Sequence, residues 1–268
     1  MIAQLHIQVA KRNECSYLKK AFFATPFKVM NITEDKTGNQ LHLMLMSSSP
    51  GILDGDENNI KIEVEQNCSL QLHTQAYQRL FNMKAGATQQ MDVHLSDGAS
   101  FCYLPHPSVP HEQSIFNNSN NFYLSNNCQL IFGEILTCGR KLNGELFLFS
   151  KYHSISNIYF NHKLVIKENM LMQPSLINVY AIGQLEGYTH QASMIFLNQH
   201  AGVKNIRQLL TDLLSKEKNI EAGITAVPAN GLLIRLLGNG AEQLYDCLLG
   251  IQKLLQTNAA ANACISTV

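Results

Sequence analysis

The sequence predicts a mainly β fold: an all-β stack or sandwich of sheets followed by two C-terminal α-helices. Up to about residue 200, apolar and polar residues alternate in short runs, which is the period expected of half-buried strands. Turn-forming pairs such as Asp54-Gly55, Asp97-Gly98 and Asn143-Gly144 separate these runs. Further along, the apolar residues recur at helical spacing instead. Dense strands with no helices between them favour a stack of sheets or a sandwich.

The length of 268 residues allows one large β domain or two ordinary ones, and 46% hydrophobic residues are too many for a disordered chain. We divide the sequence into an all-β body over 1–200 and a helix–strand–strand–helix element over 201–256 that packs on the same domain. The remaining residues, 257–268, read TNAAANACISTV and show no period, so they are predicted to form a disordered tail.

The stretch NNIKIEVEQNCSLQLHTQAY illustrates the strand prediction. Ile60, Ile62 and Val64 fall on one face of a strand, whereas the charged residues between them fall on the other. A second stretch, GELFLFSKYHSISNIYFNHKLVIKENML, repeats this pattern with turns predicted at Ser156-Asn157 and Asn161-His162.

Two helices are predicted on either side of a pair of strands that turn around Pro228 to Gly231. The apolar stripes are formed by Val203, Ile206, Leu209, Leu210, Leu213 and Leu214 in the first helix and by Ala241, Leu244, Leu248, Ile251 and Leu255 in the second. Asn239 is placed to cap the second helix, and Glu242 three residues later completes a capping-box pattern.

Composition excludes several classes of partner. The chain has 20 Lys and Arg and 20 Asp and Glu residues, so no net charge favours nucleic acid or an anionic membrane. No apolar run approaches the roughly 18 residues that a membrane helix needs. The N-terminal segment MIAQLHIQVAKRNEC alternates and has too short an apolar run for a signal peptide, so we expect a cytoplasmic protein. Seven scattered cysteines fit reduced, buried thiols better than disulfides.

The sequence contains no signature of catalysis or of a tight metal site. There is no GxSxG motif and no glycine-rich phosphate loop. Despite ten histidines and seven cysteines, no CxxC occurs and no histidine pair has the spacing of a shared helical face. We therefore expect no enzyme activity, no catalytic residue and no tightly bound cofactor. The other conspicuous features are turns that join a glycine to a carboxylate, whose side chain commonly bonds local backbone amides.

Five motifs, in this order, resemble the family of urease accessory proteins called UreD, or UreH in some species. They are SSPGILDGD, LHTQAY, YLPHPSVPHEQSIF, EILTCGRKLNGELF and GLLIRLLGNGAEQLYDCL. Each motif is loose alone, but together they span about residues 47–256 at the spacing of the family. The sequence departs from the family pattern where a double glycine becomes Gly51-Ile52, and where His111 follows Pro110 in place of an aromatic residue.

The resemblance implies a urease maturation factor, a non-catalytic scaffold whose fold is an elongated, β-helix-like body of stacked β-sheets with two C-terminal α-helices. By this resemblance the chain binds a UreF-like protein, recruits a UreG-like GTPase through it, and docks on apo-urease. The complex would be heteromeric and able to dimerise through UreF. Nickel in transit would reach the urease metallocentre through an internal tunnel. Because such a tunnel must hold nickel loosely, oxygen ligands and isolated histidines suit it better than a tight cage.

The resemblance also suggests roles for particular residues. The nickel path is predicted to include Asp56, Glu134 and Glu145, with His73, Thr74 and Gln75 beside them. Turn-ordering residues are predicted to be Gly55, Gly139, Arg140 and Gly144. Docking of the UreF-like partner is predicted to use Leu209, Leu213, Leu244 and Leu248.

Several alternatives stay open at the level of sequence. Arg140 can pair with one of the carboxylates only to order its turn, and the helical leucines can cover a sheet of the same chain. The chain can also be a nickel-storing metallochaperone or an enzyme on a β scaffold. Storage needs tight stoichiometric nickel binding, whereas transit needs only weak binding, so equilibrium dialysis of the isolated chain separates these two functions.

Overall fold

The computed structural model of the chain describes residues 1–35, 38–199 and 203–265 and consists mainly of strands in two stacked, open sheets. The strands and helices in chain order are β1 (Ile2–Arg12), β2 (Cys15–Phe23), β3 (Phe27–Asn31), β4 (Gln40–Ser47), β5 (Glu57–Val64), β6 (Ser69–Thr74), β7 (Gln78–Leu80), β8 (Ala87–Leu95), β9 (Ser100–Tyr103), β10 (Ser108–Pro110), β11 (Ile115–Leu124), β12 (Gln129–Leu136), β13 (Lys151–Phe160), β14 (Lys163–Met172), β15 (His190–Asn198), α1 (Val203–Leu214), β16 (Glu221–Val227), β17 (Gly231–Gly238) and α2 (Ala241–Ile265). The predicted mainly β class with two helices is confirmed.

One sheet has seven strands in the order β14-β13-β11-β8-β5-β1-β2. The other has ten, with the main path β16-β17-β15-β12-β9-β6-β4-β3 and with β7 and β10 paired beside it. Apart from β7 and β10, the chain alternates between the two sheets from β4 to β13, and the strands that it adds to each sheet are parallel to one another. This coil of two sheets is the predicted β-helix-like body.

The main hydrophobic core lies between the two sheets. Ile60, Ile62 and Val64 point into it with 4%, 0% and 1% of their surfaces exposed, so the predicted alternation along β5 is confirmed. Phe122 of the seven-stranded sheet meets Phe132 of the ten-stranded sheet with ring centroids 4.7 Å apart. Each fully buried side chain of this size stabilises the fold by about 1.5–3 kcal/mol.

Both helices pack on the outer face of the ten-stranded sheet and form a second core there. Leu244 and Leu248 are 0% and 1% exposed beneath α2, whereas Leu209 on α1 is 42% exposed and Leu213 is partly buried. The predicted docking surface is therefore wrong for Leu244 and Leu248, because their side chains already fill the space between helix and sheet. None of the helices in the described part of the chain is long and apolar enough to cross a membrane.

Two local predictions need correction. The turn predicted at Ser156-Asn157 is wrong, since β13 runs straight through both residues, whereas Asn161 and His162 do turn with φ of 45° and 65°. The predicted tail also begins too early, because α2 continues through Ile265; residues 266–268 lie outside the described residues.

The predicted capping box at the start of α2 is wrong as well. Asn239 Oδ1 accepts a hydrogen bond from the Thr189 backbone N–H at 3.1 Å, and the Glu242 carboxylate accepts one from the Tyr77 hydroxyl. Both side chains therefore tie the helix to neighbouring segments rather than to its own backbone.

Candidate functional site

The inner face of the seven-stranded sheet carries a polar row in the middle of an otherwise apolar core. The row consists of Asn58 on β5, Gln89 on β8, Asn118 on β11 and Ser154 on β13, which are paired in register across four adjacent parallel strands. Every second residue of a strand faces the same side, so these four side chains lie next to one another on the inner face. Asn118 Nδ2 donates to Ser154 Oγ at 3.2 Å and thereby links two members of the row.

Glu134 on β12 faces this polar row from the opposite sheet. It is the second residue after the buried Phe132, so the alternation of β12 turns it inward. Its Oε1 accepts hydrogen bonds from Ser154 Oγ at 2.7 Å and from Asn118 Nδ2 at 3.1 Å. A third donor, Asn120 Nδ2, lies 3.5 Å away.

Burial raises the pKa of the Glu134 carboxyl, and the hydrogen bonds from Ser154, Asn118 and Asn120 offset only part of that rise. Glu134 nevertheless keeps a partly accessible surface, because it lines an internal cavity of about 60 Å³. A cavity of this size has room for water, which needs roughly 10–15 Å³. The carboxyl is therefore held in the interior by polar donors beside a space that water can occupy.

A larger cavity of about 320 Å³ adjoins the first and is lined by Asp56, Asn58 and Gln75 among others. The lining residues common to both cavities are Thr74, Ala76, Gln78, Gln89 and Tyr103. The two spaces thus meet at the Gln89 side chain, with Asp56 on one side and Glu134 on the other. We refer to these two adjoining cavities together as the interior passage.

Asp56 stands at the wall of the larger cavity, just before β5. Its Oδ2 accepts from the Leu53 backbone N–H at 2.8 Å, and its Oδ1 lies 3.0 Å from the Met1 backbone nitrogen. The side chain is 13% exposed. Gly55 precedes it with φ of +75°, a conformation that glycine adopts without strain, so the predicted Asp54-Gly55 turn is confirmed.

The segment 73–75 divides between two faces of the ten-stranded sheet. Thr74 and Gln75 line the larger cavity, as their predicted place beside the path requires. His73 does not, because it is one residue away from Thr74 on β6 and so points to the opposite face. Its prediction as an interior residue is wrong, and it lies instead 3.2 Å from His42 on the outer face.

Glu145 belongs to a turn and not to either cavity. Arg140 donates to both carboxylate oxygens, with Nε 2.9 Å from Oε2, and this pairing holds the pKa of the Glu145 carboxyl below its usual range. Gly139, at φ of +116°, leaves no space for a side chain, since a Cβ there would lie 3.0 Å from the backbone oxygens of Glu145 and Pro110. Gly144 closes the turn with φ of +83°. This geometry favours the turn-ordering alternative for Arg140 and Glu145.

The sequence prediction missed the whole polar row and two polar neighbours on the same strands. The missed residues are the row itself, Asn58, Gln89, Asn118 and Ser154, together with Asn120 and Ser156. The run IFNNSNNFYL, which forms β11, carries asparagine at both inward and outward positions. In this strand the asparagines at inward positions lie between the inward Phe116 and Phe122, and this pattern is the sequence signal that indicates a polar patch in the interior. Among the described residues, no group of three or more His, Cys, Asp or Glu side chains is arranged to hold a metal ion.

Comparison with known proteins gives a consistent family. A family model described as "UreD urease accessory protein" matches residues 1–268. The chain is 50% identical to the urease accessory protein UreD of Flavobacterium johnsoniae over 258 residues, which cover 95% of this chain and 92% of that protein. It is 32% identical to UreD of Acetivibrio thermocellus over 94% of this chain and 97% of the relative. UreD of Haemophilus influenzae strain 86-028NP is 35% identical over 88% of this chain and 92% of its own length.

Proposed function

Since this chain belongs to the UreD urease accessory protein family and so takes part in urease maturation, we propose that it is a non-catalytic scaffold for nickel delivery. In this proposal it binds a UreF-like protein, recruits a UreG-like GTPase through it and docks on apo-urease. Nickel then moves through the interior of the chain to the urease metallocentre. The ion is cargo in transit and not a resident cofactor.

The polar row opposite Glu134 is the observation that carries this proposal. A stack of sheets gains most stability from an apolar interior, so polar side chains there need a reason. Asn58, Gln89 and Asn118 instead line two adjoining cavities that extend from Asp56 to Glu134. Both ends of the passage carry a carboxyl group, and amide and hydroxyl oxygens lie between them.

This donor set suits movement of a divalent ion better than storage. Nickel stands near the top of the divalent affinity order, so several nitrogen or sulfur ligands at one point would retain it. Single carboxylates and neutral oxygens bind it weakly, while still replacing part of its hydration in the interior. The spacing of such groups along the passage, rather than around one point, favours stepwise transfer.

Exposed apolar loops support the partner-binding part of the proposal. Leu142, Leu176 and Ile182 are 101%, 74% and 95% exposed, and apolar side chains that form one exposed patch mark an interaction site. Their two loops are joined where the Phe147 and Tyr180 rings meet edge to face at 5.8 Å. We assign the UreF-like contact to these loops in place of the buried α2 leucines.

A matched pair of neighbouring glutamines tests the passage. Gln89 lies where the two cavities meet, whereas the exposed Gln90 points to the other side of the sheet and donates to Asp92 at 2.7 Å. In purified complexes with UreF, UreG and apo-urease, we expect Gln89→Leu to slow nickel-dependent activation about tenfold, equivalent to ~1.4 kcal/mol in the barrier. Gln90→Leu should activate urease at the wild-type rate.

The complexes must assemble equally in both variants, which size-exclusion chromatography of the purified mixtures checks. Equal activation rates for Gln89→Leu and the wild-type chain would remove the interior passage from the proposal.

A second pair of variants tests where the UreF-like protein binds. Loss of complex assembly in the Leu142→Asp variant, with Leu209→Asp assembling normally, would support the loop contact with UreF. The reverse pattern would return the contact to α1.

A further inference from the structure

A pair of histidines lies on the outer face of the ten-stranded sheet, away from the interior passage. His42 on β4 and His73 on β6 occupy adjacent parallel strands, with His42 Nδ1 and His73 Nε2 3.2 Å apart. Their rings are stacked with centroids 5.5 Å apart and an interplanar angle of 18°. Both side chains are partly exposed, so solvent reaches them.

The distance between these two nitrogens matches the spacing of two ligands on one metal ion. Two imidazole nitrogens that each lie ~2.1 Å from a metal, at tetrahedral or octahedral angles, are separated by roughly 3.0–3.4 Å. The His42–His73 separation of 3.2 Å falls within this interval. An ion bound there would replace the single proton that the two nitrogens otherwise share.

The pair lies beside the last helix of the chain. Neutral imidazole is the form that binds nickel, copper and zinc. Gln71, which is paired in register with His42, accepts from Gln256 Nε2 at 3.3 Å, so the second half of α2 lies alongside the site.

The pair is also connected to the interior passage. Thr74 follows His73 on β6 and faces the interior, where its Oγ1 lies 2.9 Å from His106 Nδ1. Thr74 lines both internal cavities. The two histidines on the outer face are therefore separated from the interior passage only by the thickness of β6.

We propose that His42 and His73 form a two-histidine site for a divalent transition metal on the surface of the ten-stranded sheet. Water completes the coordination shell, so binding is weak and exchangeable. The choice of nickel as the ion rests on the proposed function, whereas the site itself rests on the geometry of the two rings. Its position beside Thr74 makes it a collection point at the wall of the passage.

The test measures nickel binding by the untagged full chain with no partner present. His42→Gln and His73→Gln are compared with His153→Gln, which removes a histidine of similar exposure from the other sheet, where its Nε2 bonds Asn169 Oδ1 at 2.8 Å. We expect isothermal titration to show nickel affinity at least about tenfold weaker in the first two variants, or ~1.4 kcal/mol, and unchanged in the third. Circular dichroism checks that all variants fold alike.

X-ray absorption at the nickel edge supplies a readout that a structural role would not change. We expect two imidazole ligands in the wild-type chain and in His153→Gln, and one in each of the other variants. Wild-type affinity in His73→Gln, or a wild-type spectrum with fewer than two imidazoles, would overturn the proposal. The urease activation rate of Gln89→Leu tests the interior passage independently of the histidine site, because that substitution leaves both histidines in place. A failure of one proposal can therefore be told from a failure of the other.

Discussion

The hydroxyl of Tyr77 donates a 2.5 Å hydrogen bond to the carboxylate of Glu242, across 165 positions of sequence. Tyr77 belongs to the wall of the larger cavity, and Glu242 lies in the first turn of α2. The start of the last helix is therefore fastened directly to the lining of the passage. This contact takes the place of the capping box that the sequence predicts.

A double-mutant cycle measures this contact. Tyr77→Phe and Glu242→Ala each remove one partner, and the cycle isolates their coupling from the favourable position of Glu242 at a helix N-terminus. We expect a coupling free energy of about 0.5–1 kcal/mol in urea unfolding, because the bond is exposed to solvent. Additive effects of the two substitutions would show that the bond does not hold α2 in solution.

The buried carboxyl of Glu134 predicts a particular pH dependence of stability. Its pKa is raised by burial, so the folded state binds a proton more strongly than the unfolded state, and stability is lost as the pH rises through the raised pKa. Glu134→Gln carries no such proton. The free energy of unfolding of the variant, minus that of the wild type, should therefore increase from acid to neutral pH.

Urea unfolding at a series of pH values from about 4 to 8 measures this difference. Glu57→Gln, which removes an exposed glutamate at the start of β5, serves as the control and should show no comparable increase. A difference for Glu134→Gln that stays constant with pH would mean that the carboxyl is solvated as well in the folded chain as in the unfolded chain.

The buried and exposed faces of the two helices predict very different costs of leucine truncation. Leu248 is 1% exposed and packs toward Gly133 of β12, so Leu248→Ala should cost about 2–5 kcal/mol of unfolding free energy. Leu209 is 42% exposed, and Leu209→Ala should change stability by less than about 0.5 kcal/mol. Thermal and urea unfolding of the two variants check this; similar costs for both would contradict the packing of α2 on the sheet.

The sequence predicts the architecture well because most strands obey one rule. Along the inner strands of the body, where apolar residues alternate with polar ones as at Ile60 and Ile62, the apolar set is buried. The same rule fails for the polar interior. It assigns the polar Asn118 to the solvent face of its strand, and the turn signal at Ser156 places that residue outside a strand. Both are buried, at 8% and 2% exposed, because the interior here is polar.

The carboxylates of the site are partly predictable for a different reason. Asp56 and Glu134 were identified from family motifs, and both line the cavities, whereas Glu145 came from an equally good motif and serves a turn. The alternation of strand residues also predicts the direction of His73. It is one position from the buried Leu72, so its side chain must point to the opposite, outer face.

The in-register pairing of the parallel strands restricts how this family of chains can vary in length. Inserting a single residue at the start of β11 would exchange the two faces of the strand beyond it, placing Tyr123 inside and turning Asn118 to solvent. The same slip would misalign Asn118 with Gln89 and Ser154 at once. Length changes in the connections between strands leave this pairing intact, whereas a change inside a parallel strand preserves the inward side chains only if it adds or removes an even number of residues.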